Sequence, residues 1–287
     1  MTLELVFWDV QHGSATYVKT PNGKHLVQDL GTGSYESSDK EFSPLLHLKN
    51  KYEVAQLDHV TITHPHKDHI YDIVNFDAVS PRCLSRSKHL PKEEILKNVK
   101  EEDMYLFDKY FEIDNRYSSP VSPEADPTLP ANNGGVKMQQ FVTSSCSTSN
   151  INNHSIVTVL SYAGSKVVLS GDNEMPSWKE LLEKEEFREA VKGADILLAP
   201  HHGRDSGFCP ELFECFRPWL TIISDGQFCD TSATDRYGKI SRGWTVHHKD
   251  GQEEKRYCVT TRNDGVITVK LGYDADQKPF IQVNLSK

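Results

Sequence analysis

The chain has 287 residues, 37% of them hydrophobic, which is enough to bury one large α/β core or two ordinary ones and excludes a disordered chain. A formal net charge of −9 with a pI near 5.8 denies it the global cationic field that tight, sequence-independent binding to long nucleic acid depends on, and leaves only a local basic groove for such a role. Cys83, Cys146, Cys209, Cys215, Cys229 and Cys258 form neither a CxxC pair nor a disulfide framework, MTLELVFWDV lacks a basic stretch before an apolar one, and no window approaches about eighteen apolar residues, so reduced thiols, a cytoplasmic location and no membrane span are expected.

The opening predicts antiparallel strands in LELVFWDV and ATYVKT, a turn at PNGK and a third strand in HLVQDLG. A helix is predicted over 42–49, followed by the apolar strand LDHVTIT, which stops at Thr63, and by a short helix in DHIYDIVNF with Asp68 near its start. Residues 91–112 open with proline and acids and keep helical spacing, which predicts one long amphipathic helix. Residues 116–135, dense in Pro, Ser, Asn and Gly, read as a long loop. Strand patterns on either side make about 88–136 an insertion within a single domain spanning 1–287.

The second half repeats this grammar. Strands are predicted in KMQQFVT, SIVTVLSY and KVVLSGD, a helix around SWKELLEKEEFREAV, and a buried strand in ADILLAP. A helix near PELFECF, the strand WLTIIS and a hairpin in YCVTTRNDGVITVKL turning at Asn263 and Asp264 complete the chain. Two strand-rich halves with intervening helices predict an αββα sandwich, and no short-period repeat points to a solenoid.

The segment TITHPHKDHIYDI places His64, His66, Asp68 and His69 directly after an apolar strand, on a loop where a rigid scaffold presents ligands to one point. His64 and His66, two apart, can address one ion, and Asp68 and His69 a neighbouring one. Imidazole with carboxylate oxygen is a ligand mixture suited to zinc, with manganese or iron as substitutes. Further strand edges carry His154 in NNHSIV, Asp172 in VVLSGDNE, and His201 and His202 in LLAPHHG. Singly, a histidine of this kind is a surface or capping residue and a GD is a turn. Their joint recurrence in a chain that also holds HPHKDH reverses that reading.

On these residues the chain resembles a metallo-β-lactamase-fold hydrolase and, within that superfamily, is most similar to the soluble hydrolase domain of the competence protein ComEC, over nearly its whole length. FWDVQHGSATYVKTPNGKHLVQDLGTG resembles the family's opening, HPHKDH its metal signature, SGD its bridging aspartate and PHHG its last histidine motif. The resemblance implies an αββα sandwich of the metallo-β-lactamase type and two divalent ions, zinc first and manganese second. It assigns His64, His66 and His154 to one ion, Asp68, His69 and one of His201 and His202 to the other, and Asp172 to the bridge, with Asp29 bracing the metal loop. Between His201 and His202 it does not choose. Many ComEC-like domains carry asparagine where this chain has His154, so the ligand set here is the fuller one.

Other departures bear on the substrate. His12 and Ser14 replace the usual residues of the DVGQGD-like segment, where lining the site and packing in a turn are equal readings. HHGRDSG places Arg204 near the metals, and YGKI puts Lys239 where the family has a histidine. Both cations suit phosphate oxygens, against the plainer reading of solvated surface charge. His247 and His248 read as surface residues.

Two metals make hydroxide available at neutral pH and stabilise the developing oxyanion, so hydrolysis is expected, with Asp68, His202, Arg204 and Lys239 as its catalytic set. No GxSxG elbow, GxxxxGK[ST] or GxGxxG competes with this reading. The resemblance implies a phosphodiester substrate, DNA or RNA, while the acidic balance favours a short or cyclic one. Two other expectations stand beside it. One is a metallohydrolase of a carboxyl derivative (lactone, thioester or lactam), which would carry an apolar pocket. The other is a non-catalytic binding protein on the same fold. The 88–136 insertion is expected to form a lid, a substrate wall or a protein-partner surface.

Overall fold

Alternation along the first strand sets the layering. In a computed structural model, which describes residues 1–33, 42–226 and 232–287, Leu3, Leu5 and Phe7 point to one face of the strand Thr2–Phe7, and Val6, with Trp8 and Val10 just beyond the strand, to the other. Cys229 lies outside the described residues.

In chain order the strands are β1 (Thr2–Phe7), β2 (Thr16–Lys19), β3 (His25–Gln28), β4 (His59–Thr61), β5 (Cys83–Ser85), β6 (Lys137–Phe141), β7 (Val157–Tyr162) and β8 (Ser165–Leu169). They continue with β9 (Ile196–Leu198), β10 (Leu220–Ile223), β11 (Trp244–His247), β12 (Glu253–Arg256), β13 (Cys258–Thr260), β14 (Ile267–Tyr273) and β15 (Pro279–Leu285). They form a nine-stranded sheet, ordered β12-β11-β15-β14-β1-β2-β3-β4-β5, and a six-stranded one, ordered β13-β10-β9-β8-β7-β6. Both are mixed.

Three apolar layers hold the sheets and helices together. Between the sheets, Leu3, Leu5 and Phe7 meet Leu160, Val167, Leu169, Ile196, Leu198, Leu220 and Ile222. The outer face of the larger sheet packs through Val6, Val27 and Val60 on the helices Pro44–Lys51 and Met104–Arg116. The outer face of the smaller sheet packs through Val157, Val159, Val168 and Leu197 on the helices Met175–Glu183 and Glu185–Val191. This is the expected αββα sandwich. Among the described residues no helix is long and apolar enough to cross a membrane.

Several elements differ from expectation. The predicted helix over 91–112 is instead a short helix, Lys92–Leu96, then a break with Lys100 in extended backbone, then Met104–Arg116 preceded by one 3-10 turn. Glu101, Glu102 and Asp103 suit a helix start, where free N–H groups and the dipole favour negative charge. The helix around 177–191 breaks at Lys184, which adopts extended backbone. The hairpin at Asn263–Asp264 is absent: β13 pairs parallel with β10 in one sheet, and β14 pairs with β1 and β15 in the other. Thr260 caps a four-residue helix, Thr261–Asp264, that carries the chain between the sheets. Strands β5, β11, β12 and β15 and the helix Thr234–Ile240 were not anticipated.

Parallel pairing of β3 with β4 and β5, and of β8 with β9, β10 and β13, directs the carboxyl ends of these strands to common edges of their sheets. Crevices beyond such ends are where side chains from several loops converge.

Candidate metal centre

Each corner of the site follows a strand end: Asp29 after β3, Thr63 to His69 after β4, Asp172 after β8, and His201 and His202 after β9, while His154 lies just before β7. These corners are backbone-strained. Asp29, His201 and His202 have φ of 61°, 49° and 53°, a left-handed conformation that costs a non-glycine residue about 1–2 kcal/mol. Gly171, at φ 57°, is needed beside Asp172, because a Cβ there would lie 2.8 Å from that of Ser155. Gly13 is needed for a different reason: a Cβ there would lie 2.6 Å from the Asp68 carbonyl oxygen, onto which the buried Ser14 N–H donates at 3.2 Å.

Asp68, His69, Asp172 and His202 converge, with ligand atoms all within 4.8 Å of one another. Among the described residues this is the one group of three or more metal-ligating side chains that does so. His69 Nε2 lies 3.2 Å from Asp172, and His202 Nε2 lies 3.3 Å from Asp68 and 3.5 Å from Asp172. Both nitrogens are buried and lack a hydrogen-bond partner. Their opposite ring nitrogens are committed: His69 Nδ1 donates to Asp29 at 2.8 Å and His202 Nδ1 to the Ser224 carbonyl at 2.9 Å. The Nε2 lone pairs therefore face inward, in the tautomer that a metal ligand requires. Asp29 also accepts from the Thr63 N–H at 2.8 Å and from its hydroxyl at 2.9 Å.

The electrostatics of this group call for a cation. Burial works to lower both imidazoles, yet Asp172, Asp29 and Asp68 hold His69 well above its ordinary range, and Asp172 and Asp68 push His202 up to about 10. Against their own burial, Asp68 and Asp172 are held well below the carboxylate range, chiefly by His69 and His202. Without an ion, protons on the imidazoles supply the positive charge. The residues thus fit a divalent ion, through two orphaned buried nitrogens and two carboxylates.

His64 and His66 form a second pair, with His64 Nε2 2.9 Å from His66 Nδ1 and 3.9 Å from Asp172. Burial and neighbouring His69 lower His64 well below the usual imidazole range, and burial likewise lowers His66, so both are neutral ligand types. His154 is fully buried with its Nε2 unpaired, but its Nδ1 meets His89 Nε2 at 2.8 Å, and it is not drawn into the converging group. Its partner His89, from the loop after β5, carried no motif that would have singled it out.

At the rim, His12 is half exposed and sits 3.3 Å from Asp68. His201 Nε2 also lies 3.9 Å from Asp172, but that nitrogen meets Arg204 at 2.9 Å and its Nδ1 meets Glu174 and Ser206, so it is His202 that joins Asp68 and Asp172 in the converging group. Glu174 is a second residue missed in the sequence, although it ends the SGDNE string. Lys239 is not brought to the site by any described contact. It is exposed on the helix Thr234–Ile240, whose Tyr237 packs on Phe208 and Phe213. His247 and His248 lie at β11, 3.2 and 3.5 Å from Glu253 and Glu254.

A cleft of about 350 Å³ opens beside the metal loop, between His66, Lys67 and Asp68 on one wall and Glu94, Lys97 and Lys100 of the 88–136 segment on the other. Its lysines are matched by acids: Lys67 by Asp103 at 2.6 Å, Lys97 by Glu94 at 3.3 Å and Lys100 by Glu102 at 3.7 Å.

No protein-family model and no curated protein matches the sequence. Solved structures do. The chain is similar to a mutant of the CmlA β-hydroxylase at 11% identity and TM-score 0.51, over 92% of this chain and 53% of that one, so it spans about half of that structure. It is also similar to the metallo-β-lactamase fold protein YhfI from Bacillus subtilis, at 13% identity and TM-score 0.47 over 92% and 98% of the two chains. A third is a protein from Thermotoga maritima assigned as a zinc-dependent hydrolase of the metallo-β-lactamase superfamily, at 14% identity and TM-score 0.42 over 90% and 97%. These likenesses concern the fold alone, an αββα sandwich.

Proposed function

We propose that the chain is a metal-dependent hydrolase of phosphodiesters, acting on a short nucleic-acid end or another small phosphodiester. The observation that carries the reading is the convergence of Asp68, His69, Asp172 and His202, with two inward Nε2 lone pairs that nothing in the protein satisfies. Those four residues would hold one ion. His64 and His66, with Asp172 between the two positions and His154 completing the set, would hold a second. Zinc, or manganese in its place, suits imidazole and carboxylate donors. A divalent ion there supplies Lewis acidity and a source of hydroxide at neutral pH.

The protein's own groups do the rest. Asp29 and the Ser224 carbonyl hold the Nδ1 protons of His69 and His202, so that once the ion displaces the second proton the inward nitrogens are the ones left to bind it. Arg204 brings a positive charge that no carboxylate among the described residues pairs with, suited to a non-bridging phosphate oxygen. A cleft of about 350 Å³ whose lysines are already matched by acids favours a small substrate over a long polyanion. Its far wall, residues 94–100, supports the reading of the insertion as a substrate wall.

Bis-p-nitrophenyl phosphate, tested beside lactone and lactam panels on zinc- and manganese-loaded protein, decides between phosphodiester and carboxyl chemistry. Phosphodiester cleavage lost in His66→Ala and Asp172→Ala is expected, with two equivalents of metal in the wild type. Full cleavage in those variants refutes the assignment, and turnover of lactone or lactam alone transfers it to carboxyl derivatives.

A further inference from the structure

The corner after β9 carries a run of side chains that the metal ligands do not use. Arg204 Nη1 lies 2.9 Å from His201 Nε2. A guanidinium only donates, so His201 accepts at Nε2 and carries its proton on Nδ1. That Nδ1 faces Ser206 Oγ at 2.9 Å and Glu174 Oε1 at 3.0 Å. Glu174 is fixed in turn, since Asn150 Nδ2 donates to Oε2 at 2.8 Å and Asn153 Oδ1 accepts its backbone N–H at 3.3 Å. The path runs from Asn150 through Glu174 and His201 to Arg204.

Two consequences follow. His201 spends its Nε2 lone pair on Arg204, which excludes it as a ligand in this arrangement. It also lacks the Nε2 proton that a general acid at that atom would need. Arg204, meanwhile, is held at one Nη while its Nε is buried without any partner. An unpaired buried N–H of a charged group is costly, and a bound anion removes that cost. The planar fork is well matched to two oxygens of one phosphate, and ordering it beforehand reduces what binding must spend on side-chain entropy.

We infer that Glu174 and His201 are positioning residues that orient Arg204 as the phosphate subsite of the centre. The inference rests on the phosphodiester reading above for its substrate, and its test separates the two. Titration calorimetry with inorganic phosphate on the metal-loaded protein, with metal content measured for every variant, gives a readout apart from turnover. Arg204→Ala should weaken phosphate about ten- to hundredfold with metal content unchanged, as expected for a lost charged hydrogen bond. Arg204→Lys, which keeps the charge without the fork, should recover only part.

Glu174→Ala should weaken phosphate by a smaller factor, Glu174→Gln, which keeps an acceptor, should restore most of it, and Glu174→Ala should add nothing in an Arg204→Ala background. In turnover, the same variants should raise KM for bis-p-nitrophenyl phosphate more than they lower kcat. Unchanged phosphate affinity in Arg204→Ala, additive losses in the double variant, or metal loss in Glu174→Ala overturns the inference. Phosphate binding through Arg204 without diester cleavage leaves the subsite standing and removes the hydrolase reading; cleavage with Arg204-independent phosphate binding does the reverse.

Discussion

Asp29 offers the sharpest test of how the centre is built. It is fully buried and accepts three hydrogen bonds, from the Thr63 N–H at 2.8 Å, the Thr63 hydroxyl at 2.9 Å and His69 Nδ1 at 2.8 Å. Asp29→Ala leaves all three donors in a region without solvent, at roughly 1–3 kcal/mol each if none finds a new partner. The Thr63 hydroxyl can turn to His64 Nδ1 at 3.2 Å, so the summed loss is expected at about 3–5 kcal/mol, the range for breaking a buried charged pair. Alanine also tolerates the φ of 61° less well than aspartate. His69 loses the acceptor that fixes its tautomer, so metal affinity should fall about 10- to 100-fold. Urea unfolding of metal-stripped protein measures the first effect, and competition against a chromophoric chelator measures the second. Unchanged metal affinity alongside the full stability loss would reduce Asp29 to a brace of the fold; unchanged stability would refute the hydrogen-bond accounting itself.

Metal-stripped and metal-loaded protein should respond to pH with opposite signs. Burial works to lower His202, but Asp172 and Asp68 push it up to about 10, above its unfolded value; that stability is fully present below about pH 6.5 and lost as pH rises toward about 10. Metal binding needs the same imidazole deprotonated, so loaded protein gains over that window, and parallel melting profiles for the two forms would contradict the assignment. Gly171→Ala should cost about 1–3 kcal/mol through its φ of 57° and its approach to Ser155. Because Ser155 Oγ accepts the Asp172 N–H at 3.0 Å and contacts His64 Nδ1 at 3.1 Å, metal content should fall as well, and wild-type metal content in a folded variant would show the corner to be slack. Deleting residues 118–133 should spare turnover of a small diester, since the loop's contacts run to Asn22 and Cys83 while residues 94–100 line the cleft; loss of small-substrate turnover in a folded deletion variant would place the loop in the site.

The parts of the molecule that were legible in the sequence carry their signal locally. HPHKDH concentrates ligands in six positions, and strands such as SIVTVLSY and KVVLSGD announce themselves by apolar content. Errors arose where one pattern serves two structures. Val259 and Ile267 both face the inter-sheet core, so a connection between sheets and a hairpin within one show the same alternation. Ile95, Val99, Leu106, Tyr110 and Ile113 keep helical phase across the break at Lys100, so periodicity could not reveal it. The edge strand β12, reading EEKR, and its neighbour β11, reading WTVH with only Val246 fully buried, pair through backbone and leave little hydrophobic signal. His89 and Glu174 lacked any local mark, because their partners His154 and His201 are distant in sequence and meet them only once the fold has formed.

The two sheets divide the site between them. The loops after β3 and β4 of the larger sheet supply Asp29, His64, His66, Asp68 and His69, while those around β7, β8 and β9 of the smaller supply His154, Asp172, His201 and His202. The shortest contacts of the converging group, His69 to Asp172 at 3.2 Å and His202 to Asp68 at 3.3 Å, both cross from one sheet's loops to the other's. Neither half can assemble that group alone. Packing of Leu3, Leu5 and Phe7 against Leu160, Val167 and Ile196 is therefore what brings two carboxylates and two inward imidazoles together. The negative field is created only on completion of the fold, so a divalent ion that answers it binds the native state far better than the unfolded chain, and its binding free energy adds to the stability of the whole sandwich rather than of one loop.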